Sequence, residues 1–154
     1  MCSGTCSTDG NPQKLYAIKV CFDETCESGE RELAISQRIR HENIAECLFQ
    51  ISYPRRPNLF VFAIELMDCD LKNYLYQHDG PLSRADTLTL GNQLFAGLEY
   101  LHDNGIVHRD LKPANIWINT RTKELKIADL GNSRDLDLSS ARPVTNQVQR
   151  TSSC

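Results

Sequence analysis

The stretch from Ser83 to Gly105 constrains the fold more than any other part of the chain. Leu90, Leu94, Leu98 and Leu101 recur at three- and four-residue intervals, which places them on one face of a 3.6-residue helix. Ser83 followed by Asp86 resembles a capping box at the start, and Asn104-Gly105 supplies the residues that a left-handed helix end prefers. A helix over residues 84–103 with one leucine face draws most of its stability from packing, so it must lie against a core.

The flanking segments have a different periodicity. Leu15 to Cys21 (LYAIKVC) reads as a strand, and Glu27 to Arg40 as a helix with Leu33, Ile35 and Ile39 apolar. Ala45 to Tyr53 and Leu59 to Leu66 are two more expected strands, joined by the turn-forming PRRPN. A short helix is expected after the N-cap residue Asp70, with Leu71, Tyr74 and Leu75 on one side and HDGP ending it. Beyond the long helix, NIWIN and ELKIA read as short strands around the turn TRTK. The first 14 residues read as loop or the ragged end of a hairpin, and the last 20 or so show no period. Strands lie before, between and after these helices, and the expected class is α+β.

Composition excludes several alternatives. At 154 residues, 40% hydrophobic and 24% charged, the chain has the make-up of one ordinary globular domain. A net charge of −3, with bases scattered as Arg38, Arg40, Arg55 and Arg56, argues against nucleic acid as a partner. The longest apolar run, Leu59 to Ile64, is too short to cross a membrane. Seven cysteines, an odd number without a CxxC pair, suggest free thiols in a reducing compartment. The expected address is therefore intracellular, cytoplasmic or nuclear.

Chemistry concentrates after the long helix, in His108-Arg109-Asp110-Leu111-Lys112-Pro113-Ala114-Asn115. Seven of these eight positions match H-R-D-L-K-P-x-N, so the segment resembles the catalytic loop of the protein kinases. Fourteen residues on, Asp129-Leu130-Gly131 resembles the D-F-G motif with Leu for Phe. Upstream, Tyr16-Ala17-Ile18-Lys19 resembles V-A-I-K, and the stretch from Arg31 to Ile44 resembles the following helix and its exit. The segment Ile64-Glu65-Leu66-Met67-Asp68 is similar to the hinge between the two lobes, and Asp70-Leu71-Lys72 is most similar to the cyclin-dependent and MAP kinase group.

The resemblance implies ATP and Mg²⁺ as cofactors and phosphoryl transfer to Ser or Thr of a protein substrate. Such a transfer needs positioning and charge neutralisation more than covalent chemistry. Asp110 would orient or accept the hydroxyl proton, and Lys112 would place a cation on the γ-phosphate; a lysine here is similar to the serine/threonine branch. Asn115 and Asp129 would hold Mg²⁺. Lys19 would meet the α- and β-phosphates, held by Glu32, with Glu27 and Glu30 as the alternative partners. Ala17 would pack over adenine, the backbones of Glu65 and Met67 would bind its edge, and Ile64 would be the gatekeeper. Gly131 would permit the chain reversal after Asp129. His108 is expected to pack and hydrogen-bond within the lobe. Thr145 would be an activation-segment phosphothreonine paired with Arg109, set by an activating kinase or other regulatory partner, or else part of an exposed polar loop.

The expected fold is thus protein-kinase-like and two-lobed, with residues 1–66 as a small-lobe remnant and 67–154 as a partial large lobe ending in the activation segment. It departs from the family in two places. Only Gly4 and Gly10 precede Lys19, so no G-x-G-x-x-G-x-V is present, and the chain stops at RTSSC, short of A-P-E. The expectation is a kinase domain truncated at both ends, with a long helix left partly exposed. Two alternatives to an active protein kinase stay open: an inactive kinase fragment serving as a binding or regulatory module, and a small-molecule kinase sharing the fold.

Overall fold

A computed structural model of the chain describes residues 2–5, 15–22, 27–51 and 59–136. Four antiparallel strands form the first sheet: β1 (Cys2–Thr5), β2 (Leu15–Phe22), β3 (Cys47–Ile51) and β4 (Leu59–Glu65), in the order β1-β2-β4-β3. The PRRPN turn and Thr145 lie outside the described residues. Register pairs Ala17 with Ile64 and Lys19 with Phe62, so the residues of the Y-A-I-K segment lie beside the end of β4. Between β2 and β3 the chain forms α1 (Glu27–Ser36). Of the first 14 residues, expected as loop or the ragged end of a hairpin, four form a strand, β1, that pairs antiparallel with β2.

The expected helix to Arg40 stops four residues earlier. The Arg38 N–H turns to the Ile35 carbonyl, an i to i+3 bond that tightens the chain after Ser36. That turn brings Ile39 and Ile44 into the same core as Ile35, which a continued helix could not do for Ile44.

The second half holds α2 (Leu71–Gln77) and α3 (Arg84–Asp103), with strands β5 (Cys69–Asp70), β6 (Ile106–Val107), β7 (Ile116–Asn119), β8 (Glu124–Ile127) and β9 (Arg134–Asp135). β5, β7 and β8 form one antiparallel sheet, and β6 pairs with β9. The caps are as the sequence suggests: Asp70 accepts from the Asn73 N–H at 2.8 Å and Ser83 from the Asp86 N–H at 3.0 Å. α3 ends at Asn104, and Gly105 takes the left-handed conformation at φ 69°.

Three apolar clusters hold these pieces. Ile35, Ile39 and Ile44 pack with Leu101, Ile106, Ile127 and Leu130, which joins α1 and its exit to α3 and to the Asp129-Leu130-Gly131 turn. Tyr74, Leu90, Ile116, Ile118 and Leu125 tie α2 and α3 to the β7–β8 hairpin. Ala17, Phe62 and Ile64 form the core under the first sheet, with Trp117 of β7 packed against it. Leu88 and Phe95 of α3, seven residues apart, remain exposed, as expected for a helix only partly covered.

Candidate active site

Strand β2 carries Lys19 to the centre of one cluster. Its ammonium lies 2.8 Å from both Glu32 carboxylate oxygens and 2.8 Å from Oδ1 of Asp129. Glu32 is therefore the α1 carboxylate that Lys19 meets, while Glu30 is exposed. Burial works against the Lys19 charge, but Glu32 and then Asp129 outweigh it and hold the pKa above the ordinary lysine value. Burial pushes Glu32 up, and the attraction of Lys19 opposes that shift.

Asp129 reaches Lys19 from an unusual backbone. It adopts the left-handed region at φ 64° and ψ 69°, and the residues after it form a short 3-10 turn, Leu130–Asn132. The reversal thus occurs at Asp129, a correction to the role expected of Gly131. Glycine is needed at 131 for space: a Cβ there would come 2.5 Å from Ser28 Oγ of α1. The Arg31 guanidinium also donates to the Gly131 carbonyl at 3.0 Å, so the turn is docked on α1 by a close approach and a hydrogen bond.

The second cluster is built locally. Lys112 Nζ donates to Asp110 Oδ2 at 2.8 Å, and Asn115 Nδ2 donates to the Asp110 carbonyl at 2.9 Å and to its Oδ2 at 3.1 Å. The Lys112 hydrogen bond, with help from Asn115, holds the Asp110 carboxyl below the usual aspartate range. Arg109 is left-handed at φ 63°, a conformation that costs a non-glycine residue about 1–2 kcal/mol. Its Nε donates to the Asn132 carbonyl at 2.7 Å, which helps hold that geometry.

Three contacts stitch this loop to the Asp129 turn. Buried His108 donates from Nε2 to the Ala128 carbonyl at 3.0 Å and accepts the Asp110 N–H at Nδ1, so a single tautomer serves both. The Ala128 N–H donates to the Asn115 carbonyl at 2.9 Å, and Arg109 reaches Asn132. Asp110, Asn115 and Asp129 are thereby fixed to one framework.

A cavity of about 370 Å³, within the range of small-molecule sites, is lined by sequence neighbours of these groups and by none of the two clusters' own side chains. Ala17, Glu65, Met67, Ala114 and Trp117 are among its lining residues. The Y-A-I-K alanine and the expected hinge thus border the same space. A second cavity, of about 330 Å³, is lined by the 39–46 loop and Lys126 and by none of the side chains above.

Several contributors escaped the sequence reading. Lys126 is buried, with Nζ 3.0 Å from Glu65, 3.1 Å from Glu124 and 2.9 Å from the Glu42 carbonyl. It ties the end of β4 to β8 and to the loop after α1. Buried Asn43 donates to the Leu125 carbonyl at 3.0 Å. Gly97 leaves no room for a Cβ, which would come 2.9 Å from the Asn43 carbonyl and Ile127. Lysine and asparagine look like surface residues in a sequence, and nothing in their spacing announces these contacts.

Among the described residues no cluster of three or more His, Cys, Asp or Glu could hold a metal by itself, and no helix is long and apolar enough to cross a membrane. Cys47 and Cys69 are free thiols, each raised in pKa first by burial.

The chain matches the family model for the protein kinase domain over residues 5–153. It is also similar to the cyclin-dependent kinase 2 homolog of Crithidia fasciculata, at 41% identity over 93 residues. That stretch is 59% of this chain and 19% of the relative, so the match spans about a fifth of the relative's length. The α+β architecture, the lysine–glutamate pair and the paired loops agree with a match over nearly every residue, and the chain belongs to the protein kinase domain family.

Proposed function

We propose that the chain carries out transfer of the γ-phosphoryl group of ATP to serine or threonine hydroxyls of protein substrates. The observation that carries this reading is the Lys19 ammonium held at 2.8 Å by both Glu32 and Asp129, residues 13 and 110 positions away. A cation fixed in this way, two residues along β2 from the cavity-lining Ala17, is suited to meet nucleotide phosphates without reorganising.

Each residue has a defined task in this scheme. Ala17 packs on one face of the base, and the backbones of Glu65 and Met67 meet its edge. Lys19 binds the α- and β-phosphate oxygens while Glu32 keeps it extended. Asp110 orients the attacking hydroxyl and takes its proton. Lys112 offers a cation to the transferred group. The donors for a hard cation are the Asp129 carboxylate and the Asn115 amide oxygen, whose nitrogen is already engaged by Asp110. Two oxygen donors suit Mg²⁺, which completes its shell with water and phosphate and would neutralise phosphate charge.

Lys112 in the loop and the likeness to a cyclin-dependent kinase homolog favour serine/threonine over tyrosine substrates. We further assign residues 1–66 to a small lobe and 67–154 to the large one. Thr145 is proposed as a site for an activating kinase whose phosphate pairs with Arg109, and the free thiols fit a reducing, intracellular setting. A second reading is a kinase fold that holds Mg-ATP without transferring phosphate and serves as a binding module.

Phosphotransfer from labelled ATP to mixed serine, threonine and tyrosine peptides separates the two. Label on serine or threonine that vanishes in Asp110→Asn supports the enzyme; Mg-ATP binding without transfer leaves the binding module.

A further inference from the structure

Helix α1 and its exit meet the segment from Asp129 to Asp135 along one side. Ser28, Arg31, Ile35 and Arg38 recur at intervals of three, four and three residues, the spacing of one helical face. Ser28 Oγ stands where a Cβ at Gly131 would press, the Arg31 guanidinium donates to the Gly131 carbonyl at 3.0 Å, and Ile35 shares its core cluster with Leu130. At the far end the Arg38 guanidinium donates to the Asp135 carboxylate. Asp135 is buried, with 4% of its side chain exposed, while Arg38 keeps 41%.

Asp135 is also held from behind. It pairs with Ile106 in the β6–β9 ladder, and the next N–H, that of Leu136, donates to the Gly105 carbonyl at 2.9 Å. β6 ends at Val107, and the Asp110 loop begins at once with His108. A clamp on Asp135 therefore ties the exit of α1 to the strand that leads into the Asp110 loop. The apolar cluster around Ile35 and Leu101 holds α1 down but has no direction, so it tolerates rotation and sliding. An ion pair to a buried carboxylate fixes one setting. Such a pair adds little net stability over apolar side chains of the same size, and its best-attested use is to fix register.

We propose that Arg38 is a positioning residue of the nucleotide site: clamped on Asp135, it sets the rotation of α1 that aims Glu32 at Lys19. The proposal deepens the nucleotide reading above and rests on it for the use made of Lys19. Arg31 and Arg38 grip the 129–135 segment on either side of Glu32. Glu32, one residue after Arg31, is turned by about 100° from that face, toward β2 and the Lys19 ammonium.

Lys19 itself reports the setting. Its amine is held by two carboxylates with 18% of its side chain exposed, so an acylating reagent reaches it when α1 opens locally. The experiment labels the full chain with an acetyl succinimide ester and reads each lysine by mass spectrometry. Lys19 should react about 5- to 30-fold faster in Arg38→Met than in the unmutated chain. Buried Lys126, held by Glu65 and Glu124, should keep its rate. Arg40→Met breaks an exposed pair with Glu46 at 3.4 Å on the same segment and should leave Lys19 as it was. Mg-ATP, measured by calorimetry, should bind Arg38→Met several-fold more weakly than it binds Arg40→Met.

An unchanged Lys19 rate in a folded Arg38→Met, or an equal release by Arg40→Met, would overturn the proposal. If Arg38→Met unfolds, Lys126 is released with Lys19 and Arg38→Lys decides, since it keeps a cation near Asp135 but gives up the planar guanidinium. Lys19 faster in that variant with Lys126 unchanged supports the clamp; Lys19 unchanged, or both faster together, overturns it. The labelling needs no nucleotide, so the two readings fail separately. No binding of Mg-ATP to the unmutated chain overturns the nucleotide reading while Lys19 still reports the clamp. Binding to Arg38→Met as tight as to the unmutated chain overturns the positioning role alone.

Discussion

Two clusters make up the candidate site, and they are built in opposite ways. Lys19, Glu32 and Asp129 come from β2, α1 and the turn after β8, and their side chains are 18%, 12% and 39% exposed. Asp110, Lys112 and Asn115 lie within six residues of one another, and the Lys112 side chain is 51% exposed. The first cluster exists only when α1 is docked on the Asp129 turn. The second is closed by bonds of two to five residues' span and needs only its own loop. Any change that separates the two halves of the molecule should therefore destroy the first cluster and spare the second.

The largest expected effect comes from Lys19→Met. It leaves Glu32 and Asp129 facing each other without a cation, and breaking a buried pair in this way costs about 3–5 kcal/mol. The value should fall toward the low end because Asp129 keeps contact with solvent. Urea unfolding would read it, and a loss below 1 kcal/mol would mean that the cluster contributes little to docking.

A smaller loss is expected for Gly131→Ala, about 1–3 kcal/mol by overpacking against Ser28 Oγ. Here the comparison can be sharpened by rescue. Ser28→Ala removes the clashing oxygen, and the next nearest atoms lie at 3.6 Å, ordinary contact distance. The double variant should recover most of the stability; if it does not, the turn is not docked through this contact.

Lys112→Met should do least to the fold, because an exposed local pair adds little that unfolding can measure. The unfolding midpoint should stay where it is while phosphotransfer falls. Its effect appears instead in the titration of Asp110. The folded carboxyl is held below its ordinary value of 3.8, so its contribution to stability is complete above that pH and is lost as pH falls through the folded value. Without the Lys112 hydrogen bond the titration should move up toward 3.8, followed by the carboxyl carbon signal; an unmoved titration would show that Lys112 does not set it.

The same contrast explains what could be read from the sequence. The Asp110 loop is contiguous, so its motif and its geometry are nearly the same thing. The α3 leucines and the Asp70, Ser83 and Gly105 caps were legible for the same reason, as local periodicity and local hydrogen bonding. Glu32 was legible only through resemblance, since spacing offered Glu27 and Glu30 equally. The early end of α1 was not, because the turn after Ser36 is decided by where Ile39 and Ile44 find a core. Nor was the part played by Gly131, where the left-handed residue proved to be Asp129 and the glycine answers to a helix 100 residues away. Lys126 and Trp117 join segments distant in sequence, so their partners could be found only in the fold.

The account depends most on both clusters serving one nucleotide, and thermal unfolding with and without Mg-ATP tests that directly. At about 100 times Kd, binding should raise the midpoint by on the order of 5–10 °C for a chain of this size. Asp129→Ala, which removes a carboxylate common to the Lys19 contact and the expected Mg²⁺ donors, should abolish that rise. An equal rise in the variant, or none in the unmutated chain, would contradict the claim that these two clusters form a site for Mg-ATP.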